Sequence, residues 1–168
     1  MGESYPFFKK EIAEYLKSKF NRDASILDVG AGSGTYWHYL HDYFENMDAI
    51  EVYKPNIDNF LLEMKYKKVY NQDIRNSEYK SYDIIIFGDI LEHLEVEDAQ
   101  KVLNYALERC KEVVVALPYM YEQGALGGND YEKHRQPDLT PEKVLQRYPK
   151  LKLLYGNDRY GYYVKKES

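Results

Sequence analysis

Cysteine, tryptophan and long apolar runs are scarce in this sequence of 168 residues. Cys110 is the only cysteine, which excludes an intramolecular disulfide and any zinc site built from several cysteines. No stretch approaches the roughly 18 apolar residues of a transmembrane helix. The first residues also lack the basic and apolar regions of a secretory signal. We therefore expect a cytoplasmic protein with no membrane partner.

An excess of positive charge is also missing, because 23 Lys and Arg stand against 28 Asp and Glu, a formal charge of −5. Proteins that bind the nucleic-acid backbone usually carry a basic face, so nucleic acid is an unlikely partner. Tyrosine, by contrast, is abundant, with 19 Tyr against 6 Phe and 1 Trp. Buried tyrosine hydroxyls need hydrogen-bond partners. The aromatic core must therefore contain polar networks.

Short apolar runs alternate with amphipathic segments along the chain. Apolar residues at helical spacing predict the helices, and short β-branched runs predict the strands. The predicted helices cover residues 6–20, 34–45, 55–65, 97–110 and 140–148. The predicted strands cover residues 24–29, 47–53, 68–70, 82–87, 112–117, 151–156 and 160–165. The basic side chains of the first helix, Lys9 among them, are interpreted as a solvated face.

This alternation predicts one α/β domain over residues 1–168, with a mostly parallel sheet covered by helices on both faces. The last two strands form a hairpin, which adds an antiparallel strand near one edge. Residues 1–22 form an N-terminal helix in this interpretation. Ligands of such sheets bind beyond the carboxyl ends of the strands, so the chemistry is expected there.

A glycine-rich turn, Asp28-Val29-Gly30-Ala31-Gly32-Ser33-Gly34, follows the first strand. Glycines let the backbone bend tightly and approach a ligand closely. The spacing is Gly-x-Gly-x-Gly rather than the Gly-x-Gly-x-x-Gly of dinucleotide-binding proteins. The Asp28 carboxylate would repel a pyrophosphate but suits a cationic ligand.

Two further acidic residues follow the second and third strands. Glu51 lies 17 residues after Gly34, near the distance at which an acidic residue accepts hydrogen bonds from ribose hydroxyls. Val52 and Tyr53 beside it could flank an adenine. Asp73 could accept a hydrogen bond from an exocyclic amine.

These segments, together with Phe87-Gly88-Asp89-Ile90-Leu91-Glu92-His93-Leu94, resemble the class I S-adenosylmethionine-dependent methyltransferases. The resemblance implies a Rossmann-like three-layer sandwich with a seven-stranded sheet. It also implies S-adenosyl-L-methionine as the cofactor, with the methionine part at the glycine-rich turn, the ribose at Glu51 and the adenine at Asp73. The cofactor-binding residues expected from it are Asp28, Gly30, Ala31, Gly32, Gly34, Glu51, Val52, Asp73, Ile74 and Asp89.

Methyl transfer from this donor depends mainly on positioning, and a general base is needed only for a hydroxyl or a protonated amine. The catalytic candidates are Asp89, His93, Tyr119 and His134. The long segment 118–138 is predicted to form the acceptor site, with Tyr121 and Tyr131 in it. Tyr36, Tyr160 and Tyr162 are expected to be mostly structural, although Tyr36 is near enough to the glycine-rich turn to contact the cofactor or the acceptor.

The leading hypothesis is methyl transfer to an oxygen or nitrogen atom of a small molecule, without a metal. One alternative is a metal-assisted RNA 2′-O-methyltransferase, because Asp89, Glu92, His93 and His134 form a set suited to a divalent ion. That set loosely resembles the small-RNA 3′-terminal 2′-O-methyltransferases. Another alternative is a non-catalytic module that binds S-adenosylmethionine. The oligomeric state is left open.

Overall fold

The computed structural model describes residues 5–167, which form one seven-stranded sheet between two layers of helices. The strands are β1 (Ser25–Val29), β2 (Asn46–Ile50), β3 (Lys68–Tyr70), β4 (Tyr82–Gly88), β5 (Cys110–Pro118), β6 (Leu151–Gly156) and β7 (Tyr160–Lys165). The helices are α1 (Lys9–Lys19), α2 (Thr35–Leu40), α3 (Lys54–Asn59), α4 (Leu62–Lys65), α5 (Val96–Leu107) and α6 (Pro141–Arg147).

The strand order in the sheet is β3-β2-β1-β4-β5-β7-β6. Strands β1 to β5 are parallel, whereas β7 pairs antiparallel with both β5 and β6. The predicted α/β fold with a reversed C-terminal strand is therefore confirmed. The order reverses between β1 and β4, and this is the point at which α/β sheets open a crevice for ligands.

Each central strand buries both faces, which explains its nearly continuous apolar sequence. On one face, Leu27 and Ile85 belong to a buried cluster with side chains of α5 and α6. On the other face, Ile26 and Ile84 belong to a second cluster with side chains of α1, α2, α3 and α4. This alternation follows from the two-residue period of a strand.

Several predicted boundaries differ from the structure. The helix predicted over 55–65 is two helices, α3 and α4, because Leu61 adopts a left-handed backbone with φ 53°. The helix predicted over 34–45 ends at Leu40, and α1 begins at Lys9 after Phe8 with φ 62°. Among residues 5–167, the structure contains no helix with the length and apolar character needed to cross a bilayer.

Candidate active site

A cavity of about 760 Å³ opens at the carboxyl ends of β1, β2 and β4. Its wall includes the glycine-rich turn, the residues that follow β2 and β3, and the Asp89–Leu94 segment after β4. Part of the 118–138 segment and the start of α1 close the other side. The sequence placed the chemistry at these strand ends, and the topology brings them to one crevice.

The glycine-rich turn is compact because its backbone needs conformations that other residues rarely adopt. Gly30, Gly32 and Gly34 have φ of 70°, 55° and 86°. A Cβ atom on Gly30 would lie only 1.9 Å from Cδ1 of Ile90. The Gly30 N–H also donates to the Ile50 carbonyl at 2.7 Å. The turn is thus held between the ends of β2 and β4, with its backbone at the cavity wall.

Glu51 is buried at the end of β2, and backbone donors fix its carboxylate. Gly32 N–H donates to Oε1 and Tyr53 N–H donates to Oε2, each at 2.9 Å. A carboxylate oxygen has two acceptor sites, so each oxygen keeps one for a ligand. The side chain is therefore held in position on the cavity wall with remaining capacity to accept hydrogen bonds.

Asp73 also lines the cavity, but it is paired with a nearby cation that the sequence reading did not consider. Arg75 donates to both carboxylate oxygens through its guanidinium group, and its backbone N–H donates to Oδ1 at 3.0 Å. These hydrogen bonds lower the pKa of Asp73. A ligand amine that approached Asp73 would share the carboxylate with Arg75.

Asp28 does not line the cavity, although it belongs to the glycine-rich segment. It is 1% exposed, and its Oδ2 accepts a hydrogen bond from the Tyr66 hydroxyl. Burial raises the pKa of the Asp28 carboxyl to about 7. Gly34 is likewise absent from the wall. Neither Asp28 nor Gly34 lines the cavity, and their direct contacts with the cofactor stay predictions.

The other residues expected around the cofactor share one wall of the cavity. They are Gly30, Ala31, Gly32, Glu51, Val52, Asp73, Ile74 and Asp89. Their individual roles in binding stay predictions.

Lys9, interpreted from the sequence as part of a solvated face, is 3% exposed and lines the cavity. Its Nζ donates to the hydroxyls of Tyr162 at 2.6 Å, Tyr36 at 3.2 Å and Tyr160 at 3.3 Å. The three ring centroids lie 5.0–5.2 Å from the ammonium group, which meets each ring at its hydroxyl end. Burial lowers the pKa of Lys9, and the carboxylate of Asp89 opposes that shift. Lys9 is buried rather than solvated because α1 packs across the ends of β4 and β7.

Asp89 sits at the junction of this cluster with the glycine-rich side of the cavity. Its backbone is left-handed, with φ 56°, which is uncommon for a residue other than glycine. The Tyr160 hydroxyl lies 2.8 Å from both carboxylate oxygens. A continuous polar path therefore runs from Lys9 through Tyr160 to Asp89.

Tyr119, a predicted catalytic residue, points away from the cavity. It is 7% exposed, and its hydroxyl bonds to the Tyr163 hydroxyl at 2.5 Å. Both side chains belong to the core cluster on the opposite face of the sheet. The prediction of a catalytic Tyr119 is not supported, because the alternation of side chains along β5 places Pro118, and not Tyr119, at the cavity.

Glu92, His93 and His134 meet at one part of the cavity wall. One ligand atom from each lies within 4.8 Å of the others. His93 and His134 rings are 4.7 Å apart between centroids. Burial and the neighbouring His134 lower the pKa of His93 to about 4, so its ring is neutral near pH 7. Burial and Asp89 raise the pKa of Glu92.

The 118–138 segment contributes to the wall through both of its expected tyrosines, Tyr121 and Tyr131. It is anchored by Gln136, a buried residue that the sequence reading passed over. Gln136 Nε2 donates to the carbonyls of Leu91 and Leu94, each at 2.9 Å. No local pattern marks such a glutamine, since its partners lie more than 40 residues away.

The chemistry of this cavity fits a nucleoside that carries a cationic side chain. Glu51 and Asp73 offer oxygen acceptors for hydroxyl and amine groups, and the glycine-rich backbone allows close approach. The carboxylates of Glu51 and Asp89 favour an ammonium or a sulfonium over a phosphate. S-adenosylmethionine has these groups, so the residues present fit this cofactor.

The fold and this cavity define a Rossmann-like domain with a nucleoside site at the topological switch point of its sheet. The model of the family described as "Methyltransferase domain" matches residues 27–113, slightly more than half of the chain. The chain therefore belongs to the methyltransferase domain family. The predicted membership of the class I S-adenosylmethionine-dependent methyltransferases, and with it the cofactor, is confirmed at this level.

Curated relatives agree with the family assignment over part of their length. The ubiquinone biosynthesis O-methyltransferases of two Rickettsia bellii strains, OSU 85-389 and RML369-C, are each 31% identical to this chain over 115 residues. The alignment covers 63% of this chain and 46% of each relative. The chain thus spans less than half the length of these relatives.

Solved structures share the fold at low sequence identity. An S-adenosylmethionine-dependent methyltransferase from Clostridium acetobutylicum ATCC 824 has a TM-score of 0.72 and 15% identity, over 99% of this chain and 93% of that one. Magnesium protoporphyrin IX methyltransferase from Synechocystis PCC 6803, solved with its bound cofactor, has a TM-score of 0.68 and 11% identity. The alignment covers 99% of this chain and 87% of that one. These similarities confirm the architecture.

Proposed function

We propose that this chain uses S-adenosylmethionine to methylate an oxygen atom of a small-molecule acceptor. The observation that carries the proposal is a single cavity with two different ends. One end has the glycine-rich turn and the fixed Glu51 carboxylate. The other end has the Lys9 ammonium group and two histidines, which suit an acceptor rather than a nucleoside. The similarity to the ubiquinone biosynthesis O-methyltransferases of Rickettsia bellii supports the same class.

At the cofactor end, Glu51 is the residue best placed to hold ribose hydroxyls. Asp73 and Ile74 border the position of the adenine, and the turn Gly30–Gly32 lies along the methionine part. S-adenosylmethionine supplies an activated methyl group when bound, so the chain has to orient the acceptor and exclude water.

At the acceptor end, the charge network supports an oxygen nucleophile. A hydroxyl acceptor must lose its proton, and Asp89 is the carboxylate at the junction of the two ends. The Lys9 ammonium group then stabilises negative charge on the acceptor oxygen through the tyrosine hydroxyls that surround it. A nitrogen acceptor would gain nothing from this cation.

The remaining predictions become proposals within this arrangement. The chain acts as one domain, and the 118–138 segment forms part of the acceptor wall through Tyr121 and Tyr131. His93 and His134 face the acceptor rather than the cofactor. The cytoplasmic location stays a prediction, and the oligomeric state stays open.

Calorimetry with S-adenosylhomocysteine and NAD tests the cofactor half of the proposal. We expect the S-adenosyl ligand to bind and NAD to show no heat of binding. Glu51→Gln should weaken S-adenosylhomocysteine binding about 10- to 100-fold, the cost of losing a hydrogen bond to a charged group. Glu45→Gln, an exposed carboxylate away from the cavity, is the matched control. Equal affinity of both variants, or binding of NAD alone, would overturn the cofactor assignment.

A screen with isotope-labelled S-adenosylmethionine tests the transfer itself. Phenols, catechols, sugars and amines are offered in parallel with a short RNA, and products are identified by mass spectrometry. We expect label on an oxygen of a small hydroxylated compound. Label on the RNA 2′-hydroxyl would support the RNA alternative instead. Binding of S-adenosylhomocysteine without transfer to any acceptor would favour the non-catalytic module.

A further inference from the structure

Three potential metal ligands converge at the acceptor end of the cavity. Glu92 and His93 come from the turn that follows β4, and His134 comes from the 118–138 segment, so 41 residues of sequence separate the two histidines. One ligand atom from each lies within 4.8 Å of the other two. Ligand atoms of a tetrahedral zinc site with bonds of about 2.1 Å lie about 3.4 Å apart. Small side-chain rotations would therefore close the set around one ion.

Both histidines are held in the tautomer that a metal requires. His134 Nδ1 lies 2.8 Å from the Tyr121 carbonyl, and His93 Nδ1 lies 3.2 Å from the Lys133 carbonyl. A carbonyl oxygen can only accept, so each Nδ1 must carry the hydrogen. The Nε2 atom of each neutral ring is then left with a lone pair. Metal-binding histidines are usually oriented by this kind of bond from the other ring nitrogen.

Glu92 provides the observation that points to a missing ligand. Its side chain is 1% exposed, and neither carboxylate oxygen makes a hydrogen bond with another residue among those described. A buried carboxylate without partners is costly, whereas buried carboxylates that bind metals are satisfied by the ion. Glu92 lines the cavity together with His93 and His134.

The backbone around Glu92 is rigid, which preorganises the cluster. Arg135 and Gln136 N–H groups donate to the Glu92 carbonyl at 2.8 and 3.1 Å. The Gln136 side chain also bridges Leu91 and Leu94. The turn after β4 is thus joined directly to the segment that carries His134. A site on such a support keeps its ligands in place without the ion.

We propose that Glu92, His93 and His134 bind a divalent transition-metal ion, such as Zn²⁺, at the acceptor end of the cavity. Two imidazole nitrogens and one carboxylate oxygen select this class of ion over Mg²⁺ or Ca²⁺, which prefer all-oxygen sites. Three protein ligands leave at least one coordination position open, as in catalytic zinc sites.

The open coordination position suggests a role for the ion in methyl transfer, and this role rests on the proposed function. An ion beside Asp89 and Lys9 would bind an oxygen of the acceptor and favour its deprotonated form. The acceptor class narrows accordingly to compounds whose hydroxyl can ligate a metal. The site uses three of the four residues that the sequence offers for a metal, namely Glu92, His93 and His134.

Metal titration of the full chain without a histidine tag tests the proposal. The protein is stripped with a chelator, and Co²⁺ is added while its visible absorption bands are recorded. Zn²⁺ is then used to displace it. We expect one equivalent of Co²⁺ to bind and to be displaced. His134→Ala and Glu92→Gln should each weaken binding by at least about tenfold, the loss seen when even the supports of metal ligands are removed.

His38→Ala is the control, because His38 is exposed on α2 and does not line the cavity. Its affinity for Co²⁺ should equal that of the unmodified chain. No binding of Co²⁺ or Zn²⁺ by the unmodified chain, or equal binding by all variants, would overturn the proposal. Glu92→Gln preserves the side-chain shape, so it keeps the test valid if His134→Ala does not fold.

S-adenosylhomocysteine binding, measured in chelator, separates this proposal from the proposed function. Retained binding without any metal binding would overturn the metal site and leave the cofactor assignment standing. Metal binding without S-adenosylhomocysteine binding would support the metal site and contradict the cofactor assignment. The titration needs no acceptor, so it does not depend on measuring methyl transfer.

Discussion

Lys9 brings its ammonium group into the cavity wall, where three tyrosine hydroxyls and three aromatic rings surround it. A buried ammonium group is tolerated only when it is well hydrogen-bonded and near opposite charge. Tyr36, Tyr160 and Tyr162 meet the first need, and Asp89 meets the second. The need to hydrogen-bond Lys9 therefore explains why these three positions are tyrosine. Phenylalanine at these positions would leave the ammonium group without partners.

Lys9→Met should reduce methyl transfer to the acceptor while leaving S-adenosylhomocysteine binding within about twofold. The loss expected in kcat/KM is about 10- to 100-fold, since a charge-assisted hydrogen bond contributes ~1.5–3 kcal/mol. Steady-state kinetics with the acceptor found in the screen measures it. Lys10→Met, on the exposed side of the same helix, is the control and should behave like the unmodified chain. An unchanged kcat/KM for Lys9→Met would contradict the role of its charge.

Tyr119→Phe should leave methyl transfer unchanged, because the hydroxyl bonds to Tyr163 on the opposite face of the sheet from the cavity. Loss of that buried hydrogen bond should lower the free energy of unfolding by about 0.5–1.5 kcal/mol. Urea denaturation and kinetics on the same preparation check both statements. A large loss of activity at unchanged stability would restore Tyr119 as a catalytic candidate.

The helices and strands position the cavity residues at the points where their ends meet. Strand β1 ends in a left-handed turn that closes against β4, and α1 crosses to place Lys9 beside β7. The turn after β4 is joined to the 118–138 segment through Glu92 and Gln136. Each functional residue therefore lies at an element boundary. Such positions combine a rigid support with an exposed backbone that can approach a ligand.

Gly30→Ala should destabilise the domain and weaken S-adenosylhomocysteine binding. The new Cβ would lie 1.9 Å from Ile90, and a left-handed backbone costs an ordinary residue about 1–2 kcal/mol even without a clash. Gly124→Ala is the matched control, because no atom lies within 4 Å of its added Cβ. Thermal unfolding should separate the two variants clearly. Equal melting temperatures would show that the turn can rearrange.

On the scale of the whole molecule, a few buried acidic groups lie behind and along the cavity. Asp28 is fully buried with a pKa of about 7, and burial also raises the pKa of Glu92. Glu51 contributes to the shift of Asp28, and Lys9 opposes it. Burial thus favours the neutral form of both carboxyl groups, so pH should affect the stability of the domain.

Asp28→Asn should make the stability of the domain less sensitive to pH. Between the ordinary carboxyl pKa of 3.8 and about 7, folded Asp28 holds a proton that the unfolded chain releases. The free energy of unfolding therefore falls as pH rises through this window. Asparagine cannot ionise, yet its oxygen still accepts the hydrogen bond from Tyr66. The stabilising effect of the substitution should therefore increase from about pH 5 to about pH 8.

Urea denaturation at several pH values measures this difference between Asp28→Asn and the unmodified chain. Part of the pH dependence should remain in the variant, since Glu92 acts in the same direction. Parallel curves for the two proteins would show that Asp28 is not the titrating group.

The sequence was sufficient for the order of elements and for several residues of the cavity wall. Strand ends, glycines and acidic residues at the carboxyl edge are local signals, and Gly30, Glu51 and Asp73 do line the cavity. Boundaries were less certain, as the break at Leu61 shows, because one left-handed residue divides a helix without any glycine or proline. The pairing of Arg75 with Asp73 is not among the predictions, although only Ile74 separates the two residues in the sequence.

By itself, the sequence determined the α/β fold, the reversed last strand and the family, because periodicity and a continuous glycine-rich motif are properties of short segments. Only the tertiary structure decided which side chains from distant segments meet at the cavity wall. Lys9 and Tyr162 are 153 residues apart in the sequence, yet they are hydrogen-bonded. His93 lies in the turn after β4 and His134 in the 118–138 segment, yet their ring nitrogens lie close together. It also decided that Asp28 and Tyr119 face away from the cavity. Such convergence depends on how helices pack across a sheet, which no local pattern encodes.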